Sequence, residues 1–155
     1  MKKLLVLVIT AFISANLFAQ SYVYEQDPFD RSKTNIKDDR GNLLGYYKPD
    51  AFNSNQIDVY DSRGNLVNTI KKDAFNNNKT NTYDNRGNQE SSQQKDAFDK
   101  SKENIYDRNG NIIGYKQADQ FDKNRINVFN SNGSKVGYYQ RNQFNGNWEY
   151  FQSGE

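Results

Sequence analysis

The apolar residues of this chain recur at a fixed interval of 23 positions. Phe29, Phe52, Phe75, Phe98, Phe121 and Phe144 follow one another without a slip, each two residues after an Asp or Asn. Gly41, Gly64, Gly87, Gly110 and Gly133 form a second ladder with the same interval. Two interlocked ladders divide residues 27–141 into five full repeats, with partial units at 20–26 and 142–155. Self-similarity of this kind marks a repeat architecture. In the unit 96–118, Asp107-Arg108-Asn109-Gly110 puts Asp first and Gly fourth in a type I turn. That glycine can take the positive φ of a bulge that closes a three-residue hairpin loop. Asp38, Asp61, Asp84 and Asn130 begin equivalent turns. Each repeat therefore reads as a β-hairpin, with strands in this unit near 102–107 and 111–116.

Pairing Asp107 with Asn111 sets Tyr106 opposite Ile112, Ile105 opposite Ile113, Asn104 opposite Gly114 and Glu103 opposite Tyr115. Strict alternation then places Ile105, Ile113 and Tyr115 on one face. Their counterparts are Ile36, Leu44 and Tyr46; Ile57, Val59 and Val67; and Ile126, Val128, Val136 and Tyr138. The opposite face carries Tyr106 with Ile112, Tyr60 with Leu66, Tyr83, and Phe129. Asn opposite Gly, as in Asn35 with Gly45, Asn104 with Gly114 and Asn127 with Gly137, leaves space for the recurring Phe. The third unit departs from the pattern, with Thr80, Thr82, Glu90 and Ser92 at the apolar positions. Tyr22, Val23 and Tyr24 in the first partial unit, and Trp148, Tyr150 and Phe151 in the last, read as caps or as strands awaiting a partner. A lone hairpin is marginal in water, so neighbours must stack. The expected fold class is all-β: tandem antiparallel β-hairpin repeats forming an elongated sheet or β-solenoid. At roughly 4.8 Å per strand, five hairpins would extend on the order of 50 Å.

Composition qualifies this picture. From Gln20 onward, 23 of 136 residues are Leu, Ile, Val or Phe, a share low enough to suggest disorder. The strict register and a further 11 Tyr argue for order, and 22 Asn suit a chain with many turns. Met1-Lys2-Lys3, the apolar run Leu4 to Phe12 and Leu17-Phe18-Ala19 have the form of a secretory signal peptide over 1–19. The apolar run is shorter than the roughly 20 residues a membrane span needs. Export to the periplasm or to the extracellular surface is the expectation, with no membrane span after signal removal.

Charge and chemistry narrow the function. Without Lys2 and Lys3 the formal charge falls from +2 to zero, with 19 basic and 19 acidic residues. That balance argues against a surface selected for nucleic-acid phosphates or anionic lipid. The chain has no His and no Cys, which removes thiol chemistry, disulfides and most zinc sites. Its Asp residues occupy repeated turn positions, so no isolated carboxylate pair suggests glycoside hydrolysis, and the turns lack the distal Glu of an EF-hand. No enzyme, cofactor or metal is expected.

Asn104-Ile105-Tyr106-Asp107-Arg108-Asn109-Gly110-Asn111-Ile112 resembles the hairpins of cell-wall-binding, choline-binding-type repeats, which also place aromatics before an Asp-x-x-Gly turn. The resemblance spans the five repeats, but Trp148 is the only Trp, so the Trp cage of those repeats is missing. The expectation is a non-enzymatic exported protein that binds a protein partner at the cell envelope through an elongated aromatic and Asn-rich surface. Its candidate partner-binding residues are Tyr60, Tyr83, Tyr106, Phe129, Trp148, Tyr150 and Phe151, with β-augmentation at the terminal strands as a further route. Two alternatives are a glycan-binding wall or matrix module, with polysaccharide as partner, and a periplasmic accessory or plug subunit of an outer-membrane secretion translocon.

Overall fold

A computed structural model describes residues 21–153. The expected signal peptide over 1–19 lies outside the described residues. Twelve strands run along the chain: β1 (Ser21–Gln26), β2 (Thr34–Asp38), β3 (Leu43–Pro49), β4 (Gln56–Asp61), β5 (Leu66–Lys72), β6 (Lys79–Asp84), β7 (Gln89–Lys95), β8 (Lys102–Asp107), β9 (Ile112–Ala118), β10 (Arg125–Asn130), β11 (Lys135–Arg141) and β12 (Trp148–Gln152). Every strand pairs with its neighbours in sequence, and all the pairs are antiparallel.

The sheet is neither open nor a solenoid. It closes into a barrel because β1 pairs with β12, with Tyr22 opposite Tyr150 and Tyr24 opposite Trp148. Strand twist coils a sheet of this width, and closure pairs the two rows of backbone groups that an elongated sheet would leave at its edges. The two partial units thus lie side by side and complete a sixth strand pair within one chain. No sheet edge remains for β-augmentation among the described residues.

The turns have the expected chemistry. The five ladder glycines have φ between 82° and 85°. In the fourth turn Gly110 N–H donates to the Asp107 carbonyl at 3.1 Å, and Asp107 N–H donates to the Asn111 carbonyl at 2.9 Å. Asp107 Oδ1 also accepts the N–H groups of Asn109 and Asn111, at 2.9 and 2.8 Å.

The register beyond the turn differs from the expectation. Tyr106 does oppose Ile112, but a bulge follows, and Ile105 then opposes Gly114 while Asn104 opposes Tyr115. The same slip occurs after Ile36, Val59, Thr82 and Val128. One extra residue per hairpin sends Tyr46, Tyr115 and Tyr138 to the outer wall and turns Tyr47 and Tyr139 inward. Glycine opposes the inward Ile36, Ile105 and Val128, not Asn. It is needed there because a Cβ at Gly45 or Gly114 would collide with the carbonyl oxygen of Tyr60 or Phe129 on the adjacent strand. The space expected for the recurring Phe does not exist.

A twelve-stranded ring leaves a wider interior than an eight-stranded one, and large side chains fill it. Tyr22, Tyr24, Tyr47, Tyr139 and Tyr150 form a buried cluster with Ile36, Val59, Ile70 and Val128. Tyr139 is fully buried, with its ring centroid 4.9 Å from that of Tyr150 and 6.2 Å from that of Tyr24. The opposite sector is polar. There Asn68, Thr82 and Gln93 are buried, and so is Lys116, whose Nζ donates to Gln93 Oε1 at 2.9 Å. The polar third unit therefore supplies part of the barrel's interior.

Candidate docking surface: the phenylalanine rim

Six loops join the hairpins at one end of the barrel, and each is built on the same Asp-x-Phe or Asn-x-Phe segment. In the loop after β5, Asp73 Oδ1 accepts the N–H groups of Phe75 and Asn76, both at 2.9 Å, and Oδ2 accepts Asn81 Nδ2 at 3.0 Å. Asp27, Asp96 and Asp119 repeat this arrangement with Asn35, Asn104 and Asn127. Asp50 caps Phe52 and Asn53 in the same way. Asn142 caps Phe144 and passes its amide to Glu149 Oε1 at 2.8 Å. These bonds hold the carboxylates of Asp27, Asp73, Asp96 and Asp119 below the usual range. For Asp96 the backbone N–H groups of Asp99 and Phe98, with Asn104 beside them, bring the pKa to about 2.

The consequence lies in the residue after the middle of each turn. Its N–H is tied to the Asp or Asn two positions earlier, an Asp or Asn follows it, and its ring points away from the wall. Phe29, Phe52, Phe75, Phe98, Phe121 and Phe144 are 96–101% exposed. Large apolar residues exposed to this degree, in six equivalent places on one end, are outside the ordinary scatter of surface hydrophobics. At roughly 4.8 Å between strands tilted by about 40°, twelve strands close at a diameter of about 24 Å, which sets adjacent Phe loops about 12 Å apart. The rings therefore stand singly and share no groove.

Charge at this end is sorted by exposure. In segments 25–33, 48–56, 71–79, 94–102, 117–125 and 140–148, twelve Lys and Arg stand against nine Asp and Glu. The remaining described residues carry seven cations and nine acids. In the Phe segments, Arg31, Lys71, Lys72, Lys95, Lys100, Lys123 and Arg141 are exposed, whereas Asp30 alone is exposed among the acids. The other Asp side chains are drawn in by their turn bonds. Between the third and fourth Phe loops lies a recess of about 400 Å³, lined by Asn76, Asn78, Gln94, Lys95, Asp96, Ala97 and Lys100.

The residues singled out from sequence are dispersed. Tyr60, Phe129 and Phe151 lie on the outer wall, stacked on Tyr46, Tyr115 and Tyr138 with centroids 4.9, 4.7 and 5.2 Å apart. Lys33 and Lys102 cover Tyr46 and Tyr115 at 4.3 and 4.2 Å, and Lys71 lies 5.5 Å from the Tyr83 centroid. Tyr106, partly buried, pairs with Ser92 and Ile112. Tyr150 is inside the barrel and Trp148 packs against the buried cluster. The structure does not bring these seven together. The exposed Phe ladder is a repeat marker in the sequence, and the Asp or Asn two positions before and one position after each Phe is the signal that it belongs to loop tips. Lys116, whose flanking residues give no sign of burial in the sequence, is a further interior group. Burial lowers its pKa to about 7, and it is 1% exposed, inside the barrel.

A second opening lies at the turn end. A recess of about 370 Å³ runs into the barrel between Ser91 and Gln93 on the polar side and Ile113, Val128 and Val136 on the apolar side. It holds no cluster of titratable groups.

No protein-family profile matches the chain, and no curated protein matches its sequence. In three dimensions it is similar to a protein from Arabidopsis thaliana solved by X-ray crystallography. The TM-score is 0.64 over 87% of this chain and 80% of that one, at 12% sequence identity, and the likeness extends to the fold alone.

Proposed function

We propose that this is an exported, non-catalytic docking protein of the cell envelope that engages its target end-on through the phenylalanine rim. One observation carries the reading: six loop-tip Phe rings, each almost completely exposed, occupy equivalent places on one end of a closed barrel. An outer wall of separate, cation-covered aromatic pairs supports it less well. A protein partner within an outer-membrane assembly and a polysaccharide remain the alternative targets of such a rim. Fractionation of cells that make the protein tests the reading. The wild type is expected in the envelope fraction, and a variant with Phe75, Phe98 and Phe121 changed to Ser is expected in the soluble fraction with its barrel intact by circular dichroism. Equal envelope retention of the two would refute end-on docking.

A further inference from the structure

We infer that the surface met by the phenylalanine rim is an anionic lipid bilayer, an inference that rests on end-on docking as just described. Shape is the first argument. A protein partner would need six pockets in register with rings about 12 Å apart around a circle, whereas a fluid interface accepts each ring separately. Phe side chains at the boundary between headgroups and acyl chains are buried without any matched concavity. The second argument is charge. Formal neutrality of the residues from Gln20 onward conceals the sorting by exposure, which leaves seven exposed cations and one exposed acid around the rings. The turn end also exposes Arg40, Arg63, Arg86 and Arg108, but no projecting aromatic ring accompanies them. Leu43, Leu44, Leu66, Ile112 and Ile113 are 38–51% exposed beside those arginines, but the Phe end alone sets almost completely projecting rings within a cationic collar, the pairing that binds anionic leaflets.

The third argument is the recess between the third and fourth loops. Phe75 and Phe98 flank it, Lys95 and Lys100 line it, and the amides of Asn76, Asn78 and Gln94 complete it. Its position would put a headgroup phosphate between the two lysines while both rings enter the acyl boundary. Asp96 also lines the recess, but the N–H groups of Phe98 and Asp99 and the amide of Asn104 occupy its carboxylate.

Co-sedimentation with vesicles tests the inference. The full chain is expected to pellet with phosphatidylglycerol–phosphatidylcholine vesicles and about tenfold less with phosphatidylcholine alone. The F75S/F98S/F121S variant should lose roughly tenfold or more of the binding to anionic vesicles. K95E/K100E should lose binding to anionic vesicles and leave the weak neutral binding unchanged. Binding that survives the Phe substitutions, as attachment through residues 1–19 would, overturns the inference. So does a wild type that ignores both vesicles. If that wild type still depends on its Phe residues for retention in the cell envelope, end-on docking stands and the partner is a protein or polysaccharide.

Discussion

Lys116 is the residue whose environment departs furthest from what its type prefers. Its ammonium is buried in the barrel with the Gln93 amide oxygen as hydrogen-bond partner and Glu103 as the charge that opposes the shift. A folded pKa of about 7, against about 10.4 for the unfolded chain, means that the unfolded state binds more protons between these values. Stability should therefore rise as pH increases from about 7 towards 10 and carry the full penalty below 7. Lys116→Met removes the buried charge and keeps the length of the side chain. We expect it to stabilise the fold at pH 6 by about 1–3 kcal/mol and to flatten that rise. Urea unfolding at several pH values measures both effects, and a destabilised variant would mean that the ammonium is better compensated than its neighbours imply.

At the scale of the element, the Phe loops and the Gly turns are stabilised in the same way, by a side-chain oxygen that caps two backbone N–H groups, from an Asp carboxylate everywhere except at Asn130 and Asn142. Four of the Phe loops add an anchor to the wall, the Asn eight residues on. Because folding lowers the pKa values of caps such as Asp73, Asp96 and Asp107, their contribution is present above about pH 4, the unfolded value, and is lost as pH falls through the folded one, about 2 for Asp96. Thermal melts should show Tm dropping between pH 4 and 2, with Asp96→Asn melting lower at pH 7 and showing a shallower drop. A Tm independent of pH in that window would remove the caps from any account of stability. The turns were legible in sequence because Asp-x-x-Gly names its own geometry. The bulge one pair later was not, since Leu44, Val67, Glu90, Ile113 and Val136 share no turn-forming residue type. That single unmarked residue reverses the facing of every tyrosine beyond it, which is why the outer stacks and the inner cluster could not be told apart. The loop tips were half legible: the period exposed the Phe positions, but a Phe usually means core.

For the whole molecule, the period counts strands but carries no signal for closure. Curvature arises from twist and from a bulge in every hairpin, and the seam joins two segments, 21–26 and 148–152, that belong to different partial units. The ring should also obey a parity rule. Excising one full unit, residues 73–95, leaves ten strands with their directions preserved and narrows the interior around the same tyrosines. That variant is expected to fold as an all-β protein destabilised by roughly 1–3 kcal/mol through overpacking. Excising residues 84–95 removes β7 with its turn, leaves eleven strands and brings the terminal strands together in parallel, so cooperative unfolding should disappear. Circular dichroism with urea melts separates the two cases.

The β1–β12 seam also determines how the barrel bears a load. Ser21 pairs with Phe151, so both ends of the described chain leave the barrel at the same place on the turn rim. Tension between them acts along the interstrand hydrogen bonds and concentrates on the outermost one, which must break before the next is stressed. The seam then opens bond by bond, as a zipper does, and each hairpin behind it is presented to the force in turn. A ring with no free edge in solution is therefore mechanically compliant when pulled by its ends, and stiff when pressed or pulled anywhere else around its circumference.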